Sequence, residues 1–161
     1  MPDKIRVLFV CTANAARSQM AEALLRHTDP TRFEAASAGL EPTAADPRAL
    51  EALAQVGVST EHLHSKPLEE FQQQAFDYVI TLCSKATADC QALQGRLASA
   101  QLMAWDFNDP QNSDDPAAFR QTLHELHERI KMFVLIMNKP RAEARRAHSS
   151  TAGTASSRAH G

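Results

Sequence analysis

Residues 5–10 (IRVLFV) form a nearly unbroken apolar run rich in β-branched side chains, and from Ser18 onward the pattern turns helical. Such a run suits a strand covered on both faces, as in a parallel sheet. Met20, Leu24 and His27 then share one helical face. A buried strand that leads straight into a helix confines the chain to a layered α/β arrangement.

The same alternation continues along the sequence. Residues 33–38 (FEAASA) read as a weaker strand closed by Gly39. Asp46-Pro47 reads as an N-cap and first helical position, Gly57 as the stop, and Leu50, Leu53 and Val56 as the apolar stripe between them. Residues 76–82 (FDYVITL) and 101–105 are further strand candidates. Asp115-Pro116 repeats the cap-and-proline signal before a helix carrying Phe119, Leu123, Leu126, Ile130, Phe133 and Met137. That stripe is read as core-facing rather than as a coiled coil, and Pro140 is expected to end it. The expectation is a doubly wound α/β fold, with a mostly parallel four-stranded sheet and helices on both faces.

Composition bounds the function. The chain has 161 residues, 43% of them hydrophobic and 22% charged, with a net charge of −2. That is one domain with a full core and no global field to recruit nucleic acid or an anionic membrane. The apolar runs are too short to span a bilayer, and the start shows no signal-peptide layout, so a cytoplasmic address is expected; the working expectation is a monomer, on which these features do not bear. Residues 141–161 hold four Arg and one Glu and no large apolar residue, which leaves −5 on residues 1–140. The reading is one domain over 1–140 and a disordered basic tail over 141–161, with a nucleic-acid arm as the lesser alternative. Three cysteines are too few, and odd in number, for a disulfide-stapled secreted fold. In a reducing compartment they point to catalysis or redox chemistry.

The first of them opens the segment Cys11-Thr12-Ala13-Asn14-Ala15-Ala16-Arg17-Ser18, between the first strand and the first helix. Ligands bind at the carboxyl ends of strands in open α/β sheets. A loop there can turn successive N–H groups inward, and the helix N-terminus adds its positive end, which makes a cradle for a tetrahedral oxyanion. Arg17 can fork onto two oxygens. The same field favours the Cys11 thiolate, placing a nucleophile against the bound anion. The loop has no glycine, so Asn14 is expected to take the left-handed turn, and Ser18 to donate to the Cys11 sulfur. A lone cysteine at a strand end is commonly a small buried hydrophobe. The Cys-x5-Arg-Ser spacing at a strand-to-helix junction reverses that reading.

This segment resembles the phosphate-binding loop of the low-molecular-weight protein tyrosine phosphatase fold. The resemblance extends through Ser37-Ala38-Gly39 and Asp109-Pro110, over roughly residues 4–138. It implies Cys11 as nucleophile, Arg17 as transition-state clamp and Asp109 as general acid. The residues alone do not separate Asp109 from Asp106, Asp114 or Asp115.

Cys83 and Cys90 follow the third strand in LCSKATADCQAL. At the carboxyl end of that strand, Cys83 would open onto the same edge as Cys11. If the segment is helical, Cys83 and Cys90 share a face about 10 Å apart. A disulfide needs Cα atoms within about 7 Å, so the pair can bond only if the segment unwinds. Thr81-Leu82-Cys83 to Cys90, and the stretch from Trp105 to Pro110, resemble the thioredoxin-coupled arsenate reductases of the phosphatase-like class. That resemblance implies a relay. Cys11 forms the arsenate adduct, Cys83 displaces arsenite to give Cys11–Cys83, and Cys90 shifts the bond to Cys83–Cys90 for thioredoxin to reduce. Phosphatases of this fold usually carry tyrosines after the Asp-Pro, where this chain has Gln111-Asn112-Ser113, and its only tyrosine is Tyr78. Some members bind potassium. Asn14, Glu22 and Ser37 match that ligand set, whereas His64-Ser65-Lys66-Pro67 lacks its acidic member. No other metal is expected, since His124 and His127 have no evident third ligand. His64 is a candidate to tune Cys83, and Trp105 belongs to the core or the site wall. The alternatives are a tyrosine or aryl phosphatase using Cys11, Arg17 and Asp109 with Cys83 and Cys90 as bystanders, and a non-enzymatic oxyanion-responsive thiol sensor.

Overall fold

The computed structural model describes residues 4–91 and 95–150, with side chains as far as Met137 in the last helix. Four parallel strands, β1 (Ile5–Cys11), β2 (Phe33–Gly39), β3 (Tyr78–Thr81) and β4 (Gln101–Ala104), lie in the order β2-β1-β3-β4. The helices are α1 (Arg17–Thr28), α2 (Pro47–Gln55), α3 (Ser84–Cys90) and α4 (Ala118–Ser150). One-turn 3-10 helices stand at Leu68–Phe71, Gly95–Ser99 and Pro110–Asn112.

The period of two along β1 divides its side chains between two cores. Ile5, Val7, Phe9 and Cys11 face α1, α2 and α4, where they meet Leu24, Leu53, Leu126, Ile130 and Phe133. Leu8 and Val10 face α3 and the 3-10 turns, where they meet Phe71, Phe76, Ala86, Cys90 and Leu97. Both sheet faces are covered, as the unbroken apolar run required. Phe133 of α4 ties its core together, with ring centroids 5.6–5.7 Å from those of Phe33, Tyr78 and Trp105.

The caps read from the sequence form as expected at α2. The Asp46 carboxylate accepts from the Arg48 N–H at 2.9 Å, and Gly57 takes a positive φ of 78°. β3 is shorter than the apolar run 76–82; at its start the Asp77 carboxylate accepts from the Arg6 N–H at 2.8 Å while the Asp77 N–H donates to the Arg6 carbonyl at 2.9 Å. Pro140 does not end α4, which continues to Ser150. A mid-helix proline costs one backbone bond, but RAEARRA beyond it is rich in strong helix formers that carry the helix across. The expected tail therefore begins within this helix, and residues 151–161 lie outside the described residues.

The chain runs from β1 outward to β2, then returns to the other side of β1 for β3. The strand order thus reverses between β1 and β3, and ligands of open α/β sheets bind above such a point. Cys11 ends β1 and Cys83 follows β3, so the two cysteines flank it.

Candidate active site

The loop after β1 is held from outside by the strap that follows β2. The carbonyls of Cys11, Thr12, Ala13 and Ala15 accept from the N–H groups of Leu40, Glu41, Thr43 and Asp46 at 2.8–3.2 Å. The Asn14 carbonyl accepts from the Gln19 side chain and from the Ser65 hydroxyl at 2.8 Å. In a planar trans peptide the N–H points opposite to the carbonyl. Five carbonyls drawn outward therefore leave the N–H groups of Thr12, Ala13, Asn14, Ala15 and Ala16 for the concave side. α1 begins directly after them with no side-chain cap, so its first N–H groups face the same space.

Asn14 makes the glycine-free turn at φ 51°, as read from the sequence. It is fully buried, and its side chain donates to the Ser18 hydroxyl at 2.7 Å and accepts the Lys66 N–H at 2.8 Å. Since Ser18 Oγ accepts from Asn14, its own hydrogen is free for the Cys11 sulfur 3.0 Å away. A donor on that sulfur stabilises negative charge there. Gly39, paired with Cys11 at the strand ends, gives the loop room. A Cβ on Gly39 would stand 2.8 Å from the Asn14 Cβ.

Arg17 spans the mouth of the loop. Its guanidinium donates to the carbonyls of Phe107 at 2.9 Å and Leu82 at 3.3 Å, and stands 3.5 Å from Asp109 Oδ2. Of the four aspartates in this stretch, Asp109 is the one that meets Arg17. It caps the turn Pro110–Asn112, where its Oδ1 accepts from the Gln111 N–H at 3.0 Å.

Cys83 sits at the lip, half-buried, with its sulfur 3.4 Å from the Thr12 hydroxyl and 3.4 Å from the Ala86 N–H of α3. It is the N-cap of that helix. Cys90 closes the same helix from the other end, buried in the second core, and burial pushes its thiol up to about 11. All three cysteines are free thiols. The structure brings Cys11, Arg17, Asp109, Cys83 and the loop residues together, and keeps Cys90 a helix length away. His64 is exposed and its Nδ1 lies by the His62 carbonyl, while the Cys83 sulfur meets the Thr12 hydroxyl and the Ala86 N–H of α3. Trp105 belongs to the core, packed between Phe9 and Phe133 under Arg129.

The residues matched to a potassium site do not fit one. The buried Glu22 carboxylate accepts from Ser37 and Arg26, and the Lys66 ammonium lies 3.6 Å from its Oε1. Lys66 Nζ also donates to the His64 carbonyl at 2.7 Å. The positive charge that Glu22 needs is already covalently part of the chain. Sequence reading passed over Lys66, Gln19 and Ser65 as braces. Their signals are tertiary, and only the loop's need for outside support pointed toward them.

The low molecular weight phosphotyrosine protein phosphatase profile matches residues 6–145. Arsenate reductase 1 of Staphylococcus epidermidis is 32% identical over 130 residues, which is 81% of this chain and 96% of that protein. The solved thioredoxin-dependent arsenate reductase of Corynebacterium glutamicum is 29% identical with a TM-score of 0.67, over 84% of this chain and 62% of that one. An arginine phosphatase from Geobacillus stearothermophilus superposes with a TM-score of 0.75 at 25% identity, over 86% of this chain and 96% of that one. A strand–loop–helix cradle of this geometry, matched along most of the sequence, places the chain in the low molecular weight phosphotyrosine protein phosphatase family.

Proposed function

We propose that the protein reduces arsenate to arsenite and is re-reduced by thioredoxin. The observation that carries this is the layout of three free thiols: one in the oxyanion cradle, one at its lip, and one a short helix away. Hydrolysis of a phosphoester needs only the first.

The Cys11 thiolate attacks arsenic(V), and the displaced hydroxide leaves as water with a proton from Asp109. Arg17 and the loop N–H groups hold the remaining oxygens. The Cys83 thiolate then attacks the Cys11 sulfur. The S–As bond breaks, its electron pair stays on arsenic, and arsenite departs from a Cys11–Cys83 disulfide. Cys90, as thiolate, attacks the Cys83 sulfur and frees Cys11. The last step must bring the two ends of α3 together, so the helix unwinds and the new disulfide is delivered toward the surface for a dithiol donor.

The cradle also suits a phosphate ester, so weak aryl phosphatase activity accompanies this reading. The position after Asp109-Pro110 argues against phosphotyrosine as the main substrate. Gln111 stands there, offering no ring to stack on an aryl group.

The test is arsenate-dependent NADPH consumption by the purified chain with thioredoxin and thioredoxin reductase. Sustained turnover that Cys11→Ser abolishes is expected. Brisk aryl phosphate hydrolysis without any arsenate-dependent turnover would overturn the proposal in favour of a phosphatase.

A further inference from the structure

Gln111 does two things at once. Its backbone N–H holds Asp109 Oδ1 at 3.0 Å, and its side-chain amide donates to Asp46 Oδ2 at 2.9 Å. Asp46, the N-cap of α2, is itself fixed to the oxyanion loop, because its N–H donates to the Ala15 carbonyl at 2.8 Å. Arg17, two residues further along, returns to Asp109 Oδ2 at 3.5 Å. The four contacts form a closed ring: cradle, Asp46, Gln111, Asp109, and back to the cradle through Arg17.

The Asp46 corner of this ring is stiff. It is nearly buried, at 7% exposure, and Arg48 grips it through Nε at 3.1 Å and Nη2 at 2.8 Å, besides the backbone N–H. The Arg48 guanidinium is in turn laid over the Phe119 ring, 4.5 Å from its centroid. Arg48 holds the Asp46 carboxyl down to about 2, with Gln111 adding to the effect, so it is an ionised acceptor at any working pH. Asp109, by contrast, lies on the long connection between β4 and α4. The turn after it reaches the α2 side of the site through the Gln111 side chain.

We infer that Gln111 and Asp46 are positioning residues for proton transfer: the Gln111 amide, anchored on Asp46, fixes the reach of the Asp109 carboxyl over the cradle. The inference rests on the reading of Asp109 as the general acid. It also assigns the two carboxyl oxygens. Oδ1 is committed as an acceptor to the Gln111 N–H, which leaves Oδ2, on the Arg17 side, as the oxygen turned toward the cradle. A general acid must lie within hydrogen-bond reach of the leaving oxygen, and small misplacements cost rate rather than affinity.

The experiment is a mutant cycle on the full chain, with arsenate reduction and phenyl phosphate hydrolysis measured side by side. Gln111→Ala is expected to lower kcat about tenfold in both reactions, while KM for arsenate and inhibition by inorganic phosphate stay within about twofold. In an Asp109→Asn background the same substitution is expected to add nothing further. Gln111→Lys, which keeps a donor for Asp46, should recover most of the rate. Gln111→Glu, which sets a carboxylate against another, should not. Full kcat in Gln111→Ala, or a loss that persists unchanged in the Asp109→Asn background, overturns the strut while leaving Asp109 as the acid. Full activity of Asp109→Asn itself overturns the underlying reading, and the strut with it.

Discussion

Gly39 ends β2 with its bare Cα against the oxyanion loop. A methyl group there would lie 2.8 Å from the Asn14 Cβ and 3.0 Å from the backbone of Ala13 and Asn14. Real side chains do not approach that closely, so the loop must shift. Misplacement of about 1 Å costs on the order of 10²-fold in rate. Gly39→Ala is therefore expected to lower arsenate turnover at least tenfold with the circular dichroism spectrum unchanged. Unaltered kinetics would mean that the loop yields without loss. Single residues such as Asn14 and Ser18 were legible in the sequence because their jobs are local: a left-handed turn in a glycine-free loop, and a hydroxyl at the far end of the same loop from the sulfur. Lys66 was not. Its sequence neighbours announce a missing acidic ligand, but only the fold shows its ammonium beside Glu22. Gln111 was noticed for the ring it lacks, and Asp46 for the helix it caps. Their meeting spans 65 positions of sequence and left no local trace.

α3 has seven residues, capped by one reactive sulfur and terminated by another. An isolated helix of that length is marginal in water, so packing of Ala86 and Cys90 against the second core holds it. While it holds, Cys90 is a buried neutral thiol. Iodoacetamide at pH 7 is expected to label Cys90 last of the three cysteines, and labelling as fast as Cys83 would show the helix already open. Cys90→Ser should stop the cycle after one turnover and leave a Cys11–Cys83 disulfide, identifiable by peptide mapping. Multiple turnover in that variant would refute the relay. The helix itself was anticipated only as a supposition, because Ser84, Thr87 and Asp89 are weak helix formers. Elements with a strong period were read more closely. β1 and β2 gain only their last residue, α2 has its expected cap, and the β3 run is trimmed at both ends to Tyr78–Thr81. The α4 stripe was right in face and wrong in length, since proline punctuation was weighed above the helix-forming residues that follow it.

At the scale of the molecule, alternating strands and helices gave the class of fold, and the resemblance of the loop gave its kind. Strand order is another matter. Nothing in the β3 sequence says that it pairs with β1 rather than β2, and yet this choice sets Cys83 beside Cys11. The strap over residues 40–46 carries a consequence for the whole domain. The cradle's shape is secured by hydrogen bonds that form when β2 docks, so the anion site does not survive unfolding. By mass action, a ligand that binds only the folded chain shifts the folding equilibrium toward it. Inorganic phosphate at a hundred times its dissociation constant should add about 2.7 kcal/mol. For a chain of this size that is a rise in Tm of roughly 5–10 °C, measurable by a thermal shift titration. A rise that Arg17→Ala removes would report the cradle, whereas a rise it leaves intact would report general salt. A rise of the first kind would make the oxyanion a fold stabiliser as well as a competitor, so that phosphate in solution would protect the folded chain while occupying the cradle.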